Sequence, residues 1–424
     1  KYDLTNFINI HPGGREILKL CESEEDCTGL FESYHAFSDR VRINNIMKAY
    51  EIGNTNKQIF KFDDSGFYNK CRKSVINYIE NTSPNILKSN SSLRHNIKVN
   101  IKWVNTVLIS FLLFILFQYE IIYGKYILIK ILCSFLSGIS LICIGYNMMH
   151  DGSHYAISTN PTINTILSTI GNSIFFSNHI LWTYHHCIRH HQYTGDIKYD
   201  PDLINAIPFI RKSKHHNIKK STFTKQNFLI KFLIFNIFFP GTMFGQSLIY
   251  NYYWLKRKNI WNMKLPKYYT IKKNIFQYIL NLLFVYFEIR YIGLIYLYIQ
   301  IVGTNVGYFI GSAPDHDMFK THKEIDKYNN KNKDNTVDWG EQQVRCSANF
   351  LTKNTLFTRF FGGINYQIEH HLFPTMCNHR LRDISHIVKA KCEEFDIPYN
   401  KEDTIKGVCV NILKTYYDVM DKDD

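Results

Sequence analysis

Eighteen histidines occur in this 424-residue chain, and their grouping points to its chemistry. His150-Asp-Gly-Ser-His154 spaces two imidazoles at i and i+4, so a helix puts both on one face, close enough to share a metal ion. His186-Cys-Ile-Arg-His190-His191 repeats that spacing and adds a third ring, and Gln367-Ile-Glu-His370-His371 supplies two more. Each group stands at the end of an apolar segment. One HxxxH arises easily by chance; three with matching placement point to a common metal centre. Imidazole suits iron, zinc and copper, and the rings outnumber the three or four protein ligands of a zinc site. Two metal ions sharing the set fit that count. With no cysteine-pair or carboxylate-rich ligand motif present, an all-histidine di-iron centre is inferred, and a membrane zinc hydrolase is the competing reading.

The elements that must hold these groups are apolar. Hydrophobic residues make up 45% of the chain, Gly only 21 and Pro only 10, which excludes collagen, coiled coil and wholesale disorder. A mean hydropathy of −0.21 looks soluble, but the average hides apolar blocks separated by Lys and Asn. Residues 103–122 contain one acid and are long enough to span a bilayer; a second span over 126–147 follows a short turn, with Lys130 able to snorkel. Further apolar segments lie at 226–250, 275–289 and 290–311. The loop from Asn251 to Asn274 carries seven basic residues and no acid, which places it in the cytosol. Pro240-Gly241 favours an interfacial or re-entrant helix for 226–250, and 275–311 then forms a hairpin turning near Glu288–Gly293. In the alternative, 226–250 spans and 275–311 is one helix. Either topology leaves all three histidine groups on one membrane face.

Outside these blocks the reading is coarser. One amphipathic helix is predicted near 65–80, with a Ser/Asn-rich joint over 88–96. Residues 319–345 read as a hydrophilic surface loop, and 376–424 as mixed, helical and cytosolic. Ten scattered cysteines without a CxxC pair, and an N-terminus without an apolar signal core, fit a reduced, cytosol-facing setting. The net charge of +14 is explained by basic flanks of apolar segments; no nucleic-acid motif accompanies it, and no nucleic-acid partner is expected.

A second candidate site lies near the start. His11-Pro-Gly-Gly makes a tight turn that presents the His11 ring, and His35 follows 24 positions later. Leu4, Phe7, Ile17, Leu18 and Phe31 are placed to line a flat apolar pocket. The tetrapeptide alone is only a turn.

Together HDGSH, HCIRHH with YTGDIKYDPDL, and DWGEQQVR with FGGINYQIEHHLFP resemble the membrane fatty acid desaturases. The Gln opening QIEHHLFP resembles the front-end group, which inserts a double bond between an existing one and the carboxyl end. The resemblance implies iron ligation by His150, His154, His186, His190, His191, His370 and His371. His316 in SAPDHD stands where the family has a further histidine, and Gln367 takes a position that is histidine in other desaturases. YDLTNFINIHPGG with FESYHAF resembles cytochrome b5, which implies axial haem ligation by His11 and His35. Two axial histidines leave no open position for O₂, so such a haem transfers electrons. The chain starts inside that pattern, without the strand and helix that precede YDLT, and the module is read as N-terminally incomplete.

The expected fold is mainly α: a polytopic membrane domain with four transmembrane helices, interfacial helices and a cytosolic cap, plus a small α+β b5-like domain. The expected organisation is 1–53 haem module, 54–100 linker and amphipathic helix, 101–400 desaturase domain and 401–424 C-terminal tail. The resemblance implies two non-haem irons, haem b and O₂ as co-substrate, with NAD(P)H acting through a cytochrome b5 reductase-type donor. It implies an acyl-CoA or acyl-lipid substrate in membrane lipid, and an endoplasmic reticulum location with both termini and the histidine boxes facing the cytosol. A sphingoid-base desaturase or a b5-fused lipid hydroxylase shares this chemistry. A membrane haem carrier or a zinc-binding receptor-like protein are readings from other classes. His185 falls off the family register. His95, His179, His215, His216, His322, His379 and His386 read as polar surface or interfacial residues, Cys187 as packing, and Asp151, Asp200 and Asp202 as candidates to orient ligand rings.

Overall fold

The computed structural model describes residues 1–24, 26–55, 59–82, 93–175, 177–204, 212–213, 228–238, 270–330 and 337–419, with isolated positions between 252 and 267. Helices dominate. Asn100 caps the first long helix, Ile101–Tyr123, by accepting from the backbone N–H of Lys102 and Trp103 at 3.0 and 3.2 Å. A short turn leads to Ile127–Gly145, which continues through a π-helical turn at Tyr146–His150 into the first histidine box. Ile271–Tyr291 and Leu294–His316 form the second hairpin; Gly293, at φ +81°, makes the turn within the region predicted for it. The one-helix alternative for 275–311 is therefore not adopted.

Three helices among the described residues are long and apolar enough to cross a membrane: Leu93–Tyr123, Ile127–Ser153 and Leu294–His316. Their outward faces carry exposed Leu112, Leu116, Leu128, Leu132, Leu294 and Ile295, which a bilayer would cover. Ile271–Tyr291 is long enough, but Lys272, Lys273, Glu288 and Arg290 dilute its apolarity. Most of 226–250 falls outside the described residues; Phe228–Leu233 and Ile234–Phe238 are helical. The Ser/Asn-rich joint lies largely outside them as well.

The second and third of these candidate spans pack closely through glycine. A Cβ on Gly303 would meet the carbonyl oxygen of Phe135, and one on Gly138 that of Gln300. Gly303→Val should therefore cost about 1–3 kcal/mol and lower the thermal unfolding midpoint in detergent. An unchanged midpoint would contradict this helix contact. Deeper in the bundle, the Gln118 amide donates to Gln300 Oε1 at 2.8 Å and Glu288 Oε2 at 3.2 Å. Ser137 Oγ also donates to Gln300 Oε1, at 2.9 Å, so one polar clasp joins four helices.

The cap beside the membrane helices is built from the predicted amphipathic helix, found at Phe67–Thr82. Phe67, Cys71, Val75 and Ile79 are buried at helical spacing, against Leu381, Ile384, Val388 and Cys392 of the helix Leu381–Glu394. Residues 319–345 depart from the predicted surface loop. Phe319–Asn330 and Trp339–Arg345 are helices, and Trp339 is fully buried in the cap core. Polar composition concealed the few apolar anchors, Ile325, Trp339 and Val344, that seat them. The helix Ile405–Val419 is also packed, through Val408, Ile412 and Tyr416 on Met318 and Phe350. In the N-terminal region Arg15–Leu20, Thr28–Tyr34 and Arg40–Lys48 are helices, and among the described residues strand pairing there is limited to a bridge between Tyr2 and Glu51.

Candidate metal centre and haem pair

Chain topology brings all three histidine groups together. His150 and His316 end two neighbouring candidate membrane helices at the same side of the bundle, His186–His191 lies on the segment Thr183–His190 and its continuation, and His370 and His371 sit on the short helix Gln367–Leu372. Both Tyr146–His150 and Thr183–His190 are π-helical rather than the regular α-helix expected for HxxxH; such widened turns are frequent at functional sites.

The donors fall into two sets. His150, His154, His186 and His370 form one, and His190, His316 and His371 the other, the ligand atoms in each lying within 4.8 Å of one another. His191 sits between them: its Nε2 is 3.1 Å from His370 Nε2, and its ring stacks on His371 with centroids 4.2 Å apart. Facing nitrogens recur at one spacing. His186 Nε2 to His150 Nε2, His190 Nε2 to His316 Nε2, and His371 Nε2 to His316 Nε2 are each 3.1 Å. Two nitrogens bound at right angles to one ion, at about 2.1 Å each, are roughly 3.0 Å apart, so these residues fit a metal at each set. Gln367 joins the second set, its amide 3.2 Å from His316 Nε2 and 3.1 Å from His371 Nε2. Its Oε1 is buried with no hydrogen-bond partner among the described residues, and the amide can turn that oxygen toward a metal.

Burial holds His154, His186, His191, His370 and His371 well below the usual histidine range, in the neutral form that ligation needs. His190 is the exception: burial opposes its charge, but Asp200 and Asp202 outweigh that and raise its pKa.

The far side of each ring fixes its orientation. His190 Nδ1–H donates to Asp200 Oδ1 at 3.0 Å, His316 Nδ1–H to the Cys346 carbonyl at 2.7 Å, and His371 Nδ1–H to Gln343 Oε1 at 2.8 Å. His154 Nδ1 meets the Tyr34 hydroxyl at 3.2 Å, the Asn378 amide lies 3.2 Å from His150 Nδ1, and Trp182 stacks on His186 with centroids 4.7 Å apart. Asp200 thus stands where the orienting role expected of it would place it. Asp202 chiefly holds His185, at 2.6 Å, while Asp151 stands 3.8 Å from His150 and instead accepts from Trp103 Nε1. Asp202 also lies near His186 and His190, but His190 has already given Nε2 to the second set and Nδ1 to Asp200. Asp200→Asn should weaken iron retention by about 10–100-fold against a chelator. Unchanged retention would contradict an orienting role.

Sequence reasoning missed Tyr34, Trp182, Gln343 and Asn378; Gln343 lay within DWGEQQVR and Tyr34 within FESYHAF, while Trp182 and Asn378 carried no signal. Two presumed surface histidines are buried. His179 Nδ1 lies 2.9 Å from Ser168 Oγ, and His322 Nε2 donates to Asp317 at 3.4 Å, so each interior ring has a polar partner. His379 is mostly enclosed and donates to Asn147 Oδ1 at 3.0 Å; His95 and His386 are exposed. His215 and His216 lie outside the described residues. Cys187 is fully buried, its Sγ 3.7 Å from His154 Nε2, and burial pushes its thiol up to about 12, consistent with packing.

At the N-terminal module His11 and His35 face each other with ring centroids 6.2 Å apart. Imidazoles on opposite sides of one iron, at about 2 Å each, have centroids roughly 6 Å apart. His11 Nδ1–H donates to the Gly14 carbonyl and His35 Nδ1–H to the Phe31 carbonyl, both at 2.8 Å, which frees both Nε2 atoms for a metal. Gly14, at φ +92°, allows the turn. Burial lowers both pKa values, that of His35 to about 4. The residues present therefore fit a haem. This module is docked on the second histidine box: Arg189 Nη1 pairs with Glu24 at 2.6 Å, and Gln192 accepts from the Leu30 N–H at 2.9 Å. Leu20 and Leu30 pack with Leu181, Tyr184 and Ile188.

Comparison with known proteins agrees with this geometry. Residues 126–403 match the fatty acid desaturase family, and residues 2–56 match the cytochrome b5-like haem/steroid binding domain. The chain belongs to the fatty acid desaturase family and carries a cytochrome b5-like domain; it is an oxidoreductase of lipid metabolism and a membrane protein. It is 25% identical over 418 residues to an acyl-lipid (8-3)-desaturase of Mortierella alpina, covering 95% of this chain and 88% of that protein. A probable Delta(5) fatty acid desaturase C of Dictyostelium discoideum is 25% identical over 421 residues, covering 95% and 86%. An sn-1 linoleoyl-lipid 6-desaturase of Synechocystis sp. is 27% identical over 290 residues, covering 66% of this chain and 77% of that protein. The b5 domain implies haem, and the family with the two ring sets suggests a di-iron site.

Proposed function

We propose that this chain is a front-end acyl desaturase, which introduces a cis double bond between an existing double bond and the carboxyl end of an unsaturated acyl chain. The observation that carries this reading is the pair of facing imidazole sets, with ring nitrogens at the spacing of neighbouring ligands on one metal. The relatives named as (8-3)-, Delta(5) and 6-desaturases support the regiochemical class.

In this reading, two non-haem irons, when bound, supply the O₂ chemistry that removes hydrogen from adjacent methylenes. His150, His154, His186, His191 and His370 hold one iron. His190, His316 and His371 hold the other, with Gln367 as a weaker oxygen donor. Asp200, Gln343 and the Cys346 carbonyl keep their rings aimed. His11 and His35 would hold haem b, which would supply one-electron transfer from NAD(P)H by way of a cytochrome b5 reductase-type partner. The acyl-CoA or acyl-lipid substrate lies in membrane lipid among the apolar helices, which exclude water from the reacting carbons. Residues 1–53 act as the haem module, 54–100 as a linker and amphipathic helix, 101–400 as the desaturase domain and 401–424 as the cytosolic C-terminal tail. The protein resides in the endoplasmic reticulum membrane with its histidine boxes toward the cytosol.

The test is product analysis of yeast expressing the chain and fed polyunsaturated acids of several lengths. A new double bond on the carboxyl side of an existing one is expected by gas chromatography–mass spectrometry. A new sphingoid-base double bond or a hydroxylated lipid, with no such acid, would overturn the front-end assignment.

A further inference from the structure

The contact between the haem module and the metal centre involves a side chain with no part in either ligand set. Tyr34 ends the helix Thr28–Tyr34 and directly precedes His35. Its hydroxyl lies 3.2 Å from His154 Nδ1, and its ring centroid is 6.4 Å from that of His154. One side chain therefore joins the residue beside a haem ligand to the back of an iron ligand. We propose that Tyr34 is the bridge through which electrons pass from the haem to the di-iron centre. This inference rests on the function proposed above.

The surrounding geometry holds the bridge in place. Glu24 pairs with Arg189, which lies between His186 and His190 in the second box, and both side chains are buried. Gln192, next to His191, accepts from the Leu30 N–H at 2.9 Å and donates to the Asp26 carbonyl at 3.2 Å. A Cβ on Gly29 would run into Gln192 Oε1 and Trp339, so the helix bearing Tyr34 is seated as closely as a glycine allows. Tyr34 itself packs against the apolar seam of Leu20, Leu30, Ile180, Leu181, Tyr184 and Ile188. A buried, multiply bonded seam fixes the donor side against the acceptor side, as an electron path within one chain requires.

With His154 Nε2 given to the metal, Nδ1 keeps its proton and donates it to the Tyr34 hydroxyl oxygen. The path is then His35, one peptide link, the Tyr34 ring, one hydrogen bond and His154. Each passage takes one electron from ferrous haem and leaves it on a ferric non-haem iron. No bond forms or breaks, and the tyrosine keeps its proton; the nicotinamide-dependent reductase restores the ferrous haem.

Tyr34→Phe in the full chain tests this, because it keeps the ring and removes only the oxygen. Haem absorbance should stay at its wild-type value, and the variant is loaded with iron before each measurement, because the lost contact to His154 should weaken iron retention by about 10–100-fold. Reoxidation of the reduced haem, followed by stopped-flow absorbance with substrate and O₂ present, should slow at least about tenfold. When haem and iron are both chemically reduced beforehand and O₂ is then admitted, the double bonds formed per bound pair of irons in one turnover should match wild type. A wild-type reoxidation rate in Y34F would overturn the proposal. A fall in single-turnover product per bound pair of irons would overturn it as well, because Tyr34 would then serve only to seat His154. Failure of the wild-type chain to bind iron or form product would instead refute the underlying function.

Discussion

His370→Ala is expected to abolish desaturation while leaving the haem in place. The His370 ring touches those of His150 and His154, with centroids 4.5 and 4.7 Å apart, and its Nε2 faces that of His191 at 3.1 Å. It is fully buried within the ring cluster, so truncation removes one donor from its set. Removing a partner that only orients a ligand commonly costs 10–100-fold, and removing the ligand itself should cost at least about a hundredfold in product. Non-haem iron per chain should fall in parallel. The haem spectrum should persist, because His11 and His35 belong to a separate pair. Wild-type product from this variant would remove His370 from the ligand set.

His35→Ala should produce the complementary loss. One axial imidazole disappears from a pair whose 6.2 Å separation fits a single iron between them, so the haem absorbance should vanish. The histidine sets at the membrane side do not include this ring, and non-haem iron should remain near its wild-type value. Product should still fall at least about tenfold, since the electrons lose their covalently attached donor. Retained haem would mean that His35 is not an axial ligand. Retained product without haem would mean that the iron site draws its electrons elsewhere.

Both variants alter residues that are legible in the amino-acid sequence itself, and the reason is chemical. A metal restricts its donors to a few residue types, and a helix restricts them to a few spacings, so HDGSH, HCIRHH and QIEHH stand out from chance. The same holds for Phe67–Thr82, where burial at Phe67, Cys71, Val75 and Ile79 follows one helical stripe. What stayed hidden depends on contacts between distant parts of the chain. Asn378 and Trp182 are ordinary residues in ordinary contexts, and FESYHAF singles out His35 rather than Tyr34, until folding sets the three behind His150, His186 and His154. Residues 319–345 misled for a related reason: a segment rich in Asn and Lys needs only Ile325, Trp339 and Val344 to anchor it, and composition averages them away. Burial of His179 and His322 is equally invisible locally, because the partners Ser168 and Asp317 come from other turns and helices.

The most direct test of a haem-fed di-iron oxidase is the metal content of the purified full chain, measured by mass spectrometry of metals alongside haem absorbance. Two non-haem irons and one haem per chain are expected, with His370→Ala losing non-haem iron and His35→Ala losing haem. Zinc in the histidine sets, or a well-folded chain with haem and no other metal, would contradict the account.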